Sequence, residues 1–359
     1  MKDKIMGRSH IKVDEKTFKK ILTVVVPAYN AEKYLKDNLE SFCIPELLSD
    51  LEVIIVNDGS TDNSADIAEE FVKYYPNTFK LITKENGGHG SGINIGILNA
   101  SGKYFKVVDA DDWVERGAFI KLLNTLRKSD SDIIASGFYW VYDEGQRNKE
   151  DFVRKAEMKI PFVGVDYNKE YIFDEIADRI YIKMHHMTIK TETLKRNNIK
   201  IDERCYYVDS EYIIYPIPYV RTIKFVDAFV YMYRLGRQGQ SVSIEKMQVN
   251  EKNYDKVIES LLVFYDRLNK NIMCSQEKQR YIEKIIARII AGKMKIMLSY
   301  PPTNTKKKSI QGFEKRLRQN YPAIYNSNIN KALKILRWTN YLFYREASML
   351  VRRKYCMGK

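Results

Sequence analysis

The chain has 359 residues, 45% hydrophobic and 30% charged, with a formal net charge of +14. That is enough for one large domain or a main domain with an appendage. No apolar run reaches the roughly 18 residues of a membrane span, and residues 1–20 lack the apolar centre of a signal peptide. The four cysteines are scattered without CxxC spacing, which argues against a disulfide framework or zinc site and fits reduced thiols in a cytoplasm.

Strand and helix signals alternate over the first 130 residues. Leu22–Val26 is a β-branched run stopped by Pro27, and Leu35, Leu39 and Phe42 then recur at helical spacing. Val53–Val56 is continuously apolar and ends at the turn Asn57-Asp58-Gly59-Ser60. The helix after it carries Ile67, Phe71 and Tyr74 on one face. Phe79–Thr83 predicts a third strand, followed by a glycine loop and a helix from about Gly92; Lys103–Val108 predicts a fourth. Continuous apolar strands between amphipathic helices predict a mostly parallel α/β sheet covered on both faces. Ligands of such sheets bind beyond the carboxyl ends of the strands.

From Asp132 the texture changes. Ile133–Val141 predicts a strand, Asp143–Lys159 a polar loop, and Tyr181–Ile189 a strand with His185 and His186 on opposite faces. Thr191–Asn197 reads as a short helix, Tyr206–Tyr215 places Asp209 and Glu211 at the start of an apolar segment, and Phe225–Tyr233 is a further strand. From Asn250 the pattern is helical, with Ile282, Ile285, Ile286, Ile289 and Ile290 on one face. Pro301 to Lys308 reads as a linker. The tail Lys331–Lys359 holds eight Lys/Arg against one acid, Glu346, which suits an anionic partner or a solvated helix face. These boundaries divide the chain into an extension (1–20), a sheet domain (21–249, halved at 131/132) and a helical region (250–359).

Neither a P-loop nor a GxGxxG fingerprint is present. Instead, polar turns converge on one end of the predicted sheet. Asp109, Asp111 and Asp112 follow an apolar run; like charges so close repel, unless a divalent cation gathers them or they form a solvated turn. Residues 87–96 hold five of the chain's seventeen glycines, a loop fit for close approach to phosphate or merely flexible. Asp58 suits either a nucleobase imide or a turn at a helix start. Tyr29 could stack on a base or pack, and His89 could meet phosphate or pack in its loop.

In order and spacing, Pro27-Ala28-Tyr29-Asn30-Ala31-Glu32, Val56-Asn57-Asp58-Gly59-Ser60, Asn86-Gly87-Gly88 and Asp109-Ala110-Asp111-Asp112 resemble the family 2 glycosyltransferases with the GT-A fold, over about Ile21 to Ser243. The resemblance implies a Rossmann-like sheet flanked by helices. It also implies inverting transfer of a sugar from a nucleotide diphosphate, commonly UDP, with a divalent metal (Mn²⁺ or Mg²⁺) on the diphosphate. By position, Pro27 and Tyr29 would line the uridine pocket, Asp58 and Asn86 would bind uracil, Asp109 would contact ribose and Asp111 would ligate the metal. Gly88 and Asn94 complete the nucleotide-sugar set, and Asp112 is expected to cap the next helix. Arg237, Ser241 and Ser243 fall in the segment that closes over the diphosphate. The family's base is the Asp of a Glu-Asp pair at a helix start; here Val208 replaces the Glu, Asp209 is the base by register and Glu211 the reserve.

The resulting expectation is a transferase acting on a glycan or lipid-linked acceptor, with no nucleic-acid partner. The basic aromatic tail (Trp338, Tyr341, Phe343, Tyr344) suits peripheral contact with the inner face of the plasma membrane, or else a homo-oligomer interface. A sugar nucleotidyltransferase and a non-catalytic glycan- or membrane-binding protein are the alternatives.

Overall fold

The computed structural model describes residues 19–142, 152–156, 162, 164–236, 243–271 and 274–355. These residues form ten strands: β1 (Lys20–Ala28), β2 (Leu51–Asn57), β3 (Phe79–Thr83), β4 (Gly102–Val107), β5 (Trp113–Val114), β6 (Ile133–Tyr142), β7 (Val153–Ala156), β8 (Glu170–Ile172), β9 (Met187–Lys190) and β10 (Thr222–Leu235). They make one sheet in the order β3-β2-β1-β4-β9-β6-β10-β5, with β7 on β6 and β8 on β10. Strands β3, β2, β1 and β4 are mutually parallel, as their continuous apolar runs predict. The antiparallel β9 wedges between β4 and β6 and turns the sheet mixed. The register of β10 on β6 shifts between Val226 and Tyr231, and such irregularities re-aim side chains next to sites.

Four helices connect the parallel half: α1 (Glu32–Glu40), α2 (Ser64–Tyr74), α3 (His89–Asn99) and α4 (Arg116–Lys128). In α1 the predicted stripe holds, with Leu35 and Leu39 buried together with Phe42 just beyond it. In α2 the inward face is Ser64 and Ala68 with Phe71, while Tyr74 is exposed; one apolar residue at the last turn of a helix need not share its stripe. Helix α3 begins three residues earlier than predicted. Gly92 and Gly96 are therefore helical, and a Cβ there would come within 2.8 Å of Pro27 and 2.4 Å of Val25. Their lack of a side chain lets α3 lie directly on β1.

The second half adds α5 (Phe173–Ile176), α6 (Thr191–Arg196), α7 (Asp209–Ile214) and α8 (Ile244–Val249), then α9 (Glu251–Asn271), α10 (Gln276–Ser299), α11 (Asn304–Asn320), α12 (Pro322–Asn326), α13 (Lys331–Trp338) and α14 (Tyr344–Tyr355). Three expectations are corrected here. Strand β7 lies within the segment expected to be a polar loop. Strand β9 starts only at Met187, so His185 and His186 sit in a turn whose backbone bonds run from His186 and Met187 back to Lys183. Lys306 to Lys308 belong to α11, capped by Thr303, so the linker is shorter than predicted.

Two large apolar clusters, with two small satellites, lie among the described residues. One gathers Leu22, Val24, Val53 and Phe79 with α1, α2 and α4. The other runs from Val25, Ile54 and Phe105 through α7, α9 and α10 to Leu333, Leu336, Tyr341 and Tyr344. The C-terminal helices thus share a core with the sheet. Tyr341 and Tyr344, expected in an exposed aromatic set, are buried in it, while Trp338 is 87% exposed. No described helix is long and apolar enough to cross a membrane.

Candidate functional site

The ends of β1, β2, β3 and β4 meet as predicted, and side chains of the motifs fasten them together. Asn30 N–H donates to Ser60 Oγ (3.0 Å), Thr61 N–H to Asn30 Oδ1 (2.8 Å), Ala31 N–H to Ser64 Oγ (2.8 Å) and Asn63 N–H to Glu32 Oε2 (3.0 Å). Asp58, 3% exposed, accepts from the N–H groups of Gly87 (2.9 Å) and Gly88 (2.7 Å) and from Lys84 Nζ (2.7 Å). Its carboxylate shapes the glycine loop, with one of its roughly four acceptor positions left. Tyr29 is 54% exposed and Asn86 is exposed at the same edge. Gly88 has φ 80° at the N-terminus of α3, a conformation that favours glycine.

The acidic turn is held from three directions. From α1, buried Asn38 donates Nδ2–H to the carbonyls of Asp109 (3.0 Å) and Asp112 (2.8 Å). From β10, Tyr231 donates its hydroxyl to Asp112 Oδ2 (2.6 Å) and accepts the Asp109 N–H (3.1 Å). Arg234 donates its N–H to Asp112 Oδ1 (2.8 Å) and its Nε–H to the Asp111 carbonyl (3.0 Å), with its guanidinium 4.9 Å from the Tyr34 ring and 4.8 Å from Trp113. Asp112 therefore does not cap α4; Glu115 does, accepting from Ala118 N–H at 2.6 Å. Asp112 is 1% exposed, and burial, then Asp109, push its pKa well above the carboxylate range.

Asp109, Asp112 and His185 offer ligand atoms within 4.8 Å of one another. His185 Nδ1 is buried without a hydrogen-bond partner, and burial lowers the ring's pKa far below its usual value, so the imidazole is neutral and able to ligate. Two carboxylates and a neutral imidazole fit a divalent cation; Asp111, the expected ligand, is not part of this group. Lys106, buried in β4, donates Nζ–H to the carbonyls of His185 (2.9 Å) and Met187 (3.3 Å) and so ties the histidine turn to the acidic strand. Burial pushes its pKa down to about 7.

Asp209 is the first residue of α7 and exposed, yet protein surrounds it closely enough that desolvation raises its pKa, with His89 partly opposing. It stands in a recess open to solvent. His89 Nε2 lies 3.6 Å from Asp109 Oδ1; desolvation lowers its pKa, opposed first by Asp209. His89 is thus within electrostatic reach of both carboxylates, the acid turn and the predicted base. Backbone strain borders this recess, with Arg204 at φ 52° and Tyr207 at φ 68°. Glu211 does not share it. It is fully buried, accepts the Asp202 N–H at 2.7 Å, and burial pushes its pKa up to about 7, so it cannot serve as the reserve base.

Two further expectations meet a different geometry. Asn94 uses both ends of its amide on the 201–203 segment: Nδ2–H to Ile201 O (2.8 Å) and Glu203 Oε1 (3.1 Å), Oδ1 from Ile201 N–H (2.9 Å). Ser243 caps α8. Arg237 and Ser241 lie outside the described residues. Asn38, Tyr231, Arg234, Lys106 and His185 are the site residues that motif reading passed over or left open. Asn38 had a signal, a polar residue at an apolar-stripe position of α1.

Residues 23–196 match the family model "Glycosyl transferase family 2". Over 272 residues the chain is 29% identical to the minor teichoic acid biosynthesis protein GgaB of Bacillus subtilis, taking in 74% of this chain and 28% of that one. It spans about 28% of that relative's length. It is 26% identical over 269 residues to the uncharacterized glycosyltransferase EpsJ of the same organism, covering 73% of this chain and 74% of that one. In structure it resembles S. aureus TarS 1–349 in complex with UDP, with TM-score 0.58 and 17% identity over 94% of this chain and 92% of that one.

Proposed function

We propose that this chain, whose residues 23–196 match the model of glycosyl transferase family 2, is a member of that family and moves a sugar from a UDP-sugar to a hydroxyl of a glycan or lipid-linked acceptor, with inversion. The observation that carries this reading is Asp209, a solvent-reached carboxylate of raised pKa facing the acidic turn across His89. In one displacement the acceptor hydroxyl gives its proton to the Asp209 carboxylate, its oxygen bonds the anomeric carbon, and the bond to the phosphate oxygen of UDP breaks. A raised pKa makes Asp209 the stronger base. A divalent cation held by Asp109 and His185 with Asp112, when bound, offsets charge on the departing diphosphate. Asp111 is proposed to join the diphosphate side. Tyr29, Pro27, Asn86, Gly88 and the remaining acceptor position of Asp58 would receive the uridine, and Asp109 the ribose. TarS structures with UDP and with UDP-GlcNAc support a UDP-sugar as the donor.

A panel of UDP-sugars with Mn²⁺ or Mg²⁺, read as UDP release, tests the proposal. Hydrolysis should appear with at least one sugar and vanish with EDTA. Asp209→Asn should keep donor binding and lose transfer by about 10²–10⁴-fold; full transfer by that variant would remove Asp209 as base. Release of pyrophosphate from NTP and sugar phosphate would instead favour the nucleotidyltransferase.

We further propose that α13 and α14 contact an anionic membrane surface at the inner face of the plasma membrane, the enzyme itself being cytoplasmic. Ile335, Trp338, Leu342, Phe343, Met349 and Leu350 are exposed there beside the exposed Lys331, Lys334, Arg345, Arg353 and Lys354, the composition of an interfacial helix.

A further inference from the structure

The stretch 181–186 has two sides. On one, His185 joins Asp109 and Asp112, and Lys183 lies within electrostatic reach of Asp209. On the other lies a cavity of about 260 Å³ whose lining includes Arg179, Tyr181, His186, Tyr281, Lys284 and Arg288. The cavity therefore shares the turn of His185 and His186 with the acidic cluster. Lys183 Nζ also stands 5.7 Å from the ring centroid of Tyr181, which lines the cavity.

The lining is cationic. Its one carboxylate, Asp178, is taken by Lys284 Nζ (2.7 Å) and Arg280 (3.8 Å). Arg288 is held with its guanidinium 4.6 Å from the Tyr181 ring centroid, a contact that consumes none of its N–H donors. Arg179 makes no ion pair among the described residues and is exposed. His186 Nδ1 accepts the Lys183 N–H at 3.1 Å, which fixes the imidazole as an edge of the cavity wall. Two guanidinium forks and aromatic faces form a set suited to a phosphate ester on a sugar or polyol, because the fork matches two phosphate oxygens at once. A neutral sugar needs carboxylate or amide acceptors as well, and Asp178 is already engaged.

We propose that this cavity is a subsite for a phosphate group carried by the acceptor, so that the acceptor is a phosphate-bearing glycan or polyol. The donor diphosphate belongs at the ends of β1–β4, on the far side of the 181–186 stretch. The phosphate is either a phosphodiester within a polymer or the pyrophosphate of a lipid-linked glycan. The inference rests on the transferase reading, and the test separates the two.

UDP-sugar hydrolysis without acceptor reports the donor side alone; its absence with every sugar would sink the transferase reading, while titration with glycerol 3-phosphate still decides the cavity. Wild-type protein should bind glycerol 3-phosphate, and an Arg179→Gln, Arg288→Gln double variant with unchanged melting temperature should bind it about tenfold or more weakly. The same variant should keep wild-type hydrolysis and raise KM about tenfold for a polyol-phosphate oligomer or for a lipid-pyrophosphate glycan in detergent. Whichever acceptor responds identifies the phosphate source. The Lys double variant should recover part of the loss. Unchanged KM for both acceptors, an equal rise with a neutral acceptor, or glycerol 3-phosphate binding indifferent to the substitutions would overturn the proposal.

Discussion

Asp209 and Glu211 stand two positions apart on α7 and meet opposite surroundings. Glu211 has been taken wholly out of water, and its pKa rises from an ordinary 4.5 to about 7, chiefly through burial. A carboxyl raised in the folded state lends stability that is whole below pH 4.5 and is lost as pH climbs through about 7. Glu211→Gln, which cannot ionise, should match the wild type near pH 4.5 and exceed it by up to about 3 kcal/mol above pH 7, measured by urea unfolding at the two pH values. Asp209 keeps access to solvent, and its charge is favoured by His89. Removing that help in His89→Gln should raise the pKa of Asp209 further and move the acid limb of kcat to higher pH. An acid limb that stays in place would separate His89 from the base.

At the scale of elements, the glycines of residues 87–96 have two kinds of work. Gly88 sets the turn into α3, whereas Gly90, Gly92 and Gly96 are helical contact points. A Cβ on Gly90 would lie 2.1 Å from the Asp202 carbonyl oxygen. Gly90→Ala should therefore push the 201–204 segment off α3 and destabilise the fold by about 1–3 kcal/mol, read as a lowered melting temperature together with weakened transfer. The parallel strands, α1 and the converging turns were legible because apolar runs and helical spacing are local. The partners of Asp112 were not: Tyr231 and Arg234 lie over 100 positions away, and the bulged register of β10 decides which residues arrive. The histidine turn was also hidden, because Tyr181–Ile189 alternates like a strand while Lys106 supplies the bonds that hold it. Lys106→Met should weaken Mn²⁺ binding about ten- to a hundredfold, the usual effect of losing a supporting bond behind a ligand.

For the whole molecule, the tail's charge was legible and its facing was not. Tyr341 and Tyr344 turned inward to the shared core, and Trp338 and Leu342 outward. Trp338→Glu with Leu342→Glu should abolish sedimentation with anionic vesicles and leave UDP-sugar hydrolysis unchanged; unchanged sedimentation would count against the membrane surface. The shared core has another effect. Asp202 accepts Ser260 Oγ–H from α9 at 2.8 Å, gives its N–H to Glu211 on α7 and sets its carbonyl beneath Gly90 of α3. The surroundings of Asp209 are therefore tied to α3, α7 and α9 at once. Heat or denaturant should melt sheet and C-terminal helices in one cooperative step, and a chain cut before α9 would lose the footing of Asp209, the proposed base.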